Sequence, residues 1–179
     1  PCGEPFLMGA AASGSLMTTA QHQLVVDVGI SMPAACFHKE SYLNLDYDRK
    51  RALYLCYLAT EMTKSKLLSI QMSQLFFAHY ANNPLKPVLE IVPPESAGSL
   101  AKKLKFRLFV VGEQKSFKLS RFVPWNSNIR DSIFEGSEGS DEEEENSSGS
   151  VPLATPHYNA HVLFDLTMAQ NQAMLAKML

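Results

Sequence analysis

The feature that most constrains this fold is a buried strand followed by a long amphipathic helix, both lying within residues 23–62. The run Leu24–Ile30 is apolar and β-branched except at Asp27 and Gly29, which predicts an interior strand that carries one carboxylate. Met32 and Pro33 end this strand. A helix is predicted next, because the following residues recur at helical spacing: Tyr47, Arg51, Tyr54, Leu55, Leu58 and Met62.

The composition indicates a soluble, globular chain. With 179 residues and 46% apolar content it can bury a core, and it contains no 18-residue apolar run that would cross a bilayer. Three cysteines without CxxC spacing argue against a disulfide framework or a zinc site and fit a reducing compartment. The opening residues lack both a start methionine and a signal region, which suggests a fragment.

The charges are segregated along the chain. Seven acidic residues lie between Glu135 and Glu145, so the rest of the chain has sixteen basic and eleven acidic residues. Residues 135–150 are Gly, Ser and acidic residues with one Asn and no apolar anchor, so burial cannot offset the entropy of ordering them. We therefore expect a mildly basic body that carries a disordered acidic loop.

The later elements are predicted from the same patterns. A β-hairpin is expected over residues 74–92, a half-buried strand over 105–111 and a further strand near 117–122. A helix is expected to begin near Asn159, with Asn159 as its N-cap. Because its apolar pattern runs uncapped to Leu179, we expect its packing partner to be a following domain.

Basic residues interleaved with aromatic residues give the best candidate surface for RNA or a partner protein. Phosphate contacts and aromatic stacking are what single-stranded RNA requires, although an ordinary solvated strand face has a similar pattern. The candidate contact residues are Lys50, Arg51, Lys102, Lys103, Lys105, Arg107, Lys118 and Arg121.

Three separated blocks of this sequence resemble the nucleolar RNA-associated protein (Nrap) family. The first block runs from Val26-Asp27-Val28 through Met32-Pro33 and Lys50-Arg51-Ala52 to Tyr54-Leu55, although Asp46 stands where that family has a basic residue. The second block is Leu119–Arg130, and the third is Thr155-Pro156-His157-Tyr158-Asn159 with the helix that follows. The resemblance covers almost the whole chain and points to the first domain of that family.

The resemblance implies an α/β, nucleotidyltransferase-like mixed sheet with flanking helices. It implies a degenerate domain over residues 1–134, the acidic loop over 135–150 and, over 151–179, a linker helix leading to a next domain. Gly9, Gly14 and Asp27 would be vestigial nucleotidyltransferase positions. Ala10 replaces a phosphate-binding serine, and Gly29 stands where a second metal-binding aspartate would be. We therefore expect no catalytic residues, no metal ligands and no cofactor.

The function implied by the resemblance is that of a non-catalytic scaffold subunit of the small-subunit processome. Such a subunit would act in the nucleolus, in ribosomal RNA processing and small-subunit biogenesis. Its implied partners are pre-ribosomal RNA and processome proteins, including a ribosomal RNA-processing protein and casein kinase 2 in one subcomplex, with no membrane contact. Two alternatives stay open: an active nucleotidyltransferase that uses magnesium and a nucleotide, and a plain protein-interaction domain.

Overall fold

A computed structural model describes residues 5–8, 24–65, 71, 74–94, 98, 103–130 and 154–178. The predicted vestigial positions Gly9 and Gly14, the candidate contact Lys102 and the acidic segment 135–150 lie outside the described residues. The described part contains five strands and two long helices, so the predicted α/β class is confirmed.

A mixed five-stranded sheet forms the centre of the fold. Its strands are β1 (Pro5–Leu7), β2 (Leu24–Met32), β3 (Leu75–His79), β4 (Pro87–Ile91) and β5 (Leu104–Gly112). They lie in the order β1-β2-β5-β4-β3, with β2 and β5 parallel and the other neighbours antiparallel. The predicted interior strand, the hairpin and the later half-buried strand are all confirmed, and the hairpin joins the sheet through β5.

Helix α1 (Asp46–Lys64) covers one face of the sheet, as the helical spacing predicted. Alternate residues of a strand point to opposite faces, so the even-numbered residues of β5 share this face. Leu108 and Val110 pack there with Leu55, Leu58 and Tyr54 of the helix. This apolar layer fixes the position of α1 against the sheet and leaves the odd-numbered residues of β5 on the opposite face.

Helix α2 (Ala154–Met178) belongs to the core of this domain. Tyr158, Val162 and Leu166 are at most 1% exposed and form a cluster with Tyr47 of α1. The expectation that this helix keeps its apolar face for a following domain is therefore wrong for these residues. The predicted N-cap is also wrong, because the helix begins at Ala154 and Asn159 lies inside it with 0% exposure.

The segment predicted as a strand near residues 117–122 is not a strand. Two short 3-10 helices, Gln114–Ser116 and Leu119–Phe122, stand there instead. Phe117 and Phe122 are both buried and contact each other at a centroid distance of 6.1 Å, with Tyr42 against both rings. The three aromatic rings thus pack into one compact cluster. A strand would place Phe117 and Phe122 on opposite faces, because successive side chains of a strand alternate.

The described helices include no candidate for a membrane span, since none combines the necessary length with sufficient apolar character.

Candidate functional site

The carboxylate predicted from the sequence, Asp27, is held by an arginine on the neighbouring strand. The parallel register places Asp27 of β2 directly beside Arg107 of β5, on the sheet face that points away from α1. Arg107 donates from Nε to Oδ1 of Asp27 at 2.7 Å and from Nη2 to Oδ2 at 2.9 Å. Both carboxylate oxygens are therefore engaged in a bidentate pair, a strong form of ionic hydrogen bond.

The position two residues after Asp27 on the same face has no room for a second carboxylate. Phe6 of β1 is paired with Gly29 of β2, and its ring lies over the glycine. A Cβ atom added at Gly29 would lie 2.3 Å from Cζ of Phe6, far inside van der Waals contact. Gly29 thus permits the close approach of an aromatic ring, and an aspartate there would have to displace that ring.

The ion pair continues as a row of charges across the sheet. Glu90 of β4 lies beside Arg107 in the register and accepts a hydrogen bond from Nζ of Lys105 at 3.0 Å. The guanidinium of Arg107 also lies 5.2 Å from the ring centroid of Tyr80 and 5.8 Å from that of Phe109. Two carboxylates and two cations balance one another here, so this face has no excess positive charge.

A cleft of about 160 Å³ lies between this sheet face and α2. Its walls are largely apolar and aromatic, and Asp27, Arg51, Lys86 and Asp165 contribute its charged groups; the apolar lining residues include Met8, Phe109, Phe164 and Met168. Nζ of Lys86 lies 4.5 Å from the ring centroid of Phe164. This volume is smaller than the roughly 300–1,000 Å³ that small-molecule pockets commonly measure.

Arg51, predicted as a contact for RNA or a partner, is a buried structural residue. It is 3% exposed, donates to the Asp165 carboxylate and to the backbone carbonyl of Leu85, and forms an ion pair with Asp48 at 3.2 Å. Nε2 of His161 lies 2.9 Å from Oδ1 of Asp48, which extends the network along α2. The prediction that Arg51 contacts a partner is therefore wrong, because its charge is used to join α1, α2 and the β3–β4 turn.

Burial raises the pKa of two groups beside Arg51, Asp165 and Tyr47. Burial raises the pKa of Asp165, and the attraction of the Arg51 guanidinium opposes this rise without cancelling it. Burial also raises the pKa of Tyr47 well above its usual value. The neutral Tyr47 hydroxyl accepts a hydrogen bond from the Gly112 amide at 2.9 Å and donates one to Asp165 at 3.4 Å. The tyrosine thus connects both helices to the end of β5.

The sequence did not reveal this network beforehand, although a signal for it was present. His161 and Asp165 are spaced by one helical turn between apolar residues of the same helix, and Asp48 and Arg51 have a similar spacing on α1. Polar residues that recur within a core-facing stripe indicate a buried ionic network. That signal becomes specific only once the two helices are known to face each other.

The remaining predicted contact residues do not form one continuous surface. Lys103 is exposed just before β5, and Lys118 is exposed six residues after this nine-residue strand, which is roughly 26 Å long. Lys105 and Arg107 are paired with Glu90 and Asp27, as described above. Lys50 donates to the Ser41 hydroxyl at 2.7 Å and lies 3.6 Å from the Asp46 carboxylate.

Arg121 lies in a different environment from the charges on the sheet. Its guanidinium lies 4.8 Å from the ring centroid of Tyr42 and donates to the Tyr42 hydroxyl. Neither Lys118 nor Arg121 forms an ion pair within the described residues. No group of three or more His, Cys, Asp and Glu side chains in this part of the chain is arranged to hold a metal ion. Lys118 and Arg121 therefore lie beyond the end of β5 without a carboxylate partner among the described residues, as Lys103 does before it.

Comparison with known proteins identifies the family. The family described as "Nrap protein domain 1" matches residues 5–179. The chain is 49% identical over 177 residues to Nucleolar protein 6 of Drosophila pseudoobscura pseudoobscura and 49% identical over 178 residues to that of Drosophila melanogaster, and each match covers 99% of the chain. The chain spans only 13–14% of the length of these relatives. On this evidence, the chain belongs to the Nrap family and corresponds to its domain 1.

Proposed function

We propose that this domain is a non-catalytic scaffold that binds RNA and proteins during ribosome biogenesis in the nucleolus. Membership of the Nrap family supports this proposal, as does the similarity of nearly the whole chain to relatives named Nucleolar protein 6. The longer protein would work as a subunit of the small-subunit processome and take part in ribosomal RNA processing. The domain itself would be a degenerate form of a nucleotidyltransferase-like fold.

The observation that carries the non-catalytic part of the proposal is the bidentate pair between Asp27 and Arg107. Two-metal nucleotidyl transfer needs carboxylates from more than one position to hold ions roughly 3.5–4 Å apart. Arg107 already occupies both oxygens of Asp27, and the Phe6 ring fills the space beside Gly29. This geometry favours a structural role for Asp27 over the rival hypothesis of an active, magnesium-dependent nucleotidyltransferase.

The RNA-binding part of the proposal is supported by the cations that lack carboxylate partners among the described residues. Lys103 and Lys118 are exposed, and Arg121 is held by an aromatic ring instead of an acid. Outside the acidic segment the sequence keeps sixteen basic against eleven acidic residues. The partners proposed on the strength of the family are pre-ribosomal RNA and processome proteins, among them a ribosomal RNA-processing protein and casein kinase 2.

Salt-dependent RNA binding tests this function. The 179-residue chain is titrated into labelled pre-ribosomal RNA fragments at several salt concentrations between 50 and 200 mM. Phosphate contacts release counterions, so the logarithm of the binding constant should fall linearly with the logarithm of salt concentration. An absence of RNA binding at the lowest salt concentration would favour the alternative of a plain protein-interaction domain.

A further inference from the structure

An exposed tryptophan is the most prominent apolar group on the described surface. Trp125 lies in the loop between the 3-10 helix Leu119–Phe122 and the end of the described segment at Arg130, and its side chain is 81% exposed. The other exposed large hydrophobic residues of the described chain are 36–59% exposed. An indole presented to water in this way gains nothing for folding, so its surface is available to a ligand.

The loop that presents Trp125 is fixed by three asparagine side chains. Asn126 and Asn128 both donate to the backbone carbonyl of Arg121, at 3.0 and 2.9 Å. Asn159 of α2 donates to the carbonyls of Val123 and Asn126, each at 2.9 Å, and accepts from Asn128 at 2.7 Å. Asn159 is 0% and Asn128 4% exposed, so this network is protected from water. The backbone on both sides of Trp125 is therefore anchored before any ligand arrives.

The described residues that flank Trp125 in the sequence carry only positive charges, and Asp131 follows them directly. Residues 117–130 contain Lys118, Arg121 and Arg130 and no acidic residue. Lys118 and Arg130 are exposed, and none of the three forms an ion pair with the described residues. A flat aromatic surface thus lies in a segment whose cations have no ion-pair partner among the described residues.

We infer that Trp125 is a stacking platform for an unpaired base of single-stranded RNA, with neighbouring phosphates on Lys118 and Arg130. This inference rests on the proposed RNA-binding function and names the surface that carries it. Stacking of bases on aromatic rings beside a cationic track is how proteins hold single strands without reading their sequence. A protein partner with an apolar pocket for the indole fits this surface less well. It would remove the three cations from water without supplying negative charges to pair with them.

The fixed loop also suits this role energetically. A ring carried by an anchored backbone loses less conformational freedom when a base stacks on it than one on a mobile loop, so less of the stacking energy is spent on ordering. An RNA duplex keeps its bases paired and stacked and cannot offer a free face to Trp125. The platform should therefore select single strands, loops and unpaired ends.

The fluorescence of the chain tests the inference directly, because Trp125 is its only tryptophan. A single-stranded RNA 12-mer of mixed sequence should quench the indole emission, and a duplex of the same sequence should not. Binding of the labelled 12-mer is then compared for the wild type, Trp125→Ala, Trp125→Phe and the control Leu53→Ala. Leu53 is 59% exposed on α1 and lies outside the proposed surface.

We expect Trp125→Ala to weaken binding by about 5- to 150-fold, the fold-change that corresponds to the loss of one stacked base. Trp125→Phe should retain most of the affinity, and Leu53→Ala should bind as the wild type does. Trp125→Ala should leave unchanged the slope of the logarithm of the binding constant against the logarithm of the salt concentration. Lys118→Ala should reduce the size of this slope by about 0.7. Thermal melting should be unchanged in Trp125→Ala, which confirms that the variant is folded.

The possible failures are distinguishable. If the wild type binds the 12-mer without quenching and Trp125→Ala binds equally well, the platform is refuted while the RNA-binding function stands. If the wild type binds no RNA, both the platform and that function are refuted. Quenching by a processome protein in place of RNA would also refute the inference, because it would assign the surface to a protein contact.

Discussion

Replacing Leu166 by alanine measures whether α2 is part of this domain. Leu166 is 1% exposed, and its Cδ2 atom would lie 2.9 Å from a Cβ atom built on Gly112 at the end of β5. The substitution removes three carbon atoms, which at about 0.8 kcal/mol each contribute about 2.4 kcal/mol of lost burial. The cavity adds to this loss, so the free energy of unfolding should fall by about 3 kcal/mol.

Urea unfolding followed by circular dichroism gives this free energy, and Met174→Ala is the matched control. Met174 lies on the same helix but is 53% exposed, so its substitution should change the free energy of unfolding by less than about 0.5 kcal/mol. The two variants should have similar slopes of free energy against urea concentration. If Leu166→Ala were as mild as Met174→Ala, the packing of α2 on this domain would be refuted.

Two further predictions concern the buried network around Arg51. Arg51→Ala should lower the free energy of unfolding by about 3 kcal/mol, because it leaves the Asp48 and Asp165 carboxylates buried without the guanidinium. The control Arg49→Ala, at a side chain that is 70% exposed, should have little effect. An equal effect of both changes in urea unfolding would refute the structural role of Arg51. Folding raises the pKa of Asp165, so the folded protein holds its proton more tightly than the unfolded chain does. This proton stabilises the fold fully below about pH 3.9, and the stabilisation is lost as the pH rises through the folded-state pKa. The stability of Asp165→Asn relative to wild type should therefore improve between pH 4 and pH 7, and a difference that does not change with pH would contradict this cause.

The sequence predicted β2, β3, β4, β5 and α1 because their signals are local, whereas β1 was not predicted. Leu24–Ile30 has the composition of a buried strand, and the spacing from Tyr47 to Met62 matches a helix regardless of what it packs against. The structure confirms both elements, and it confirms the hairpin of β3 and β4. Such patterns report which residues are apolar and how far apart they are, and this is sufficient to identify an element.

The errors concern contacts between distant parts of the chain. Asn159 is a residue type that commonly caps the N-terminus of a helix. In the structure its side-chain amide instead donates to the carbonyls of Val123 and Asn126 and accepts from Asn128. Arg51 is a basic residue of the type that often contacts a partner at a surface. Only the tertiary structure places it beside Asp165, on a helix more than a hundred residues later. The segment that contains Phe117 and Phe122 is not a strand, because both rings pack in the same aromatic cluster.

The candidate site was predicted in part. Asp27 was identified from the sequence as a lone carboxylate, but its partner could not be, because only the parallel register of β2 and β5 brings Arg107 beside it. The basic residues were also identified individually. Which of them form ion pairs, as Lys105 and Arg107 do on the sheet, and which do not depends on the tertiary structure.

The central claim, that the domain binds without catalysing nucleotidyl transfer, is tested most directly by nucleotide incorporation. The chain is incubated with labelled nucleoside triphosphates, an RNA primer and either magnesium or manganese, and Asp27→Asn is assayed in parallel. Because Arg107 occupies both oxygens of Asp27, incorporation by the wild type should stay at the level of a reaction without protein. Metal-dependent incorporation that Asp27→Asn abolishes would show that this carboxylate is catalytic and would contradict the claim.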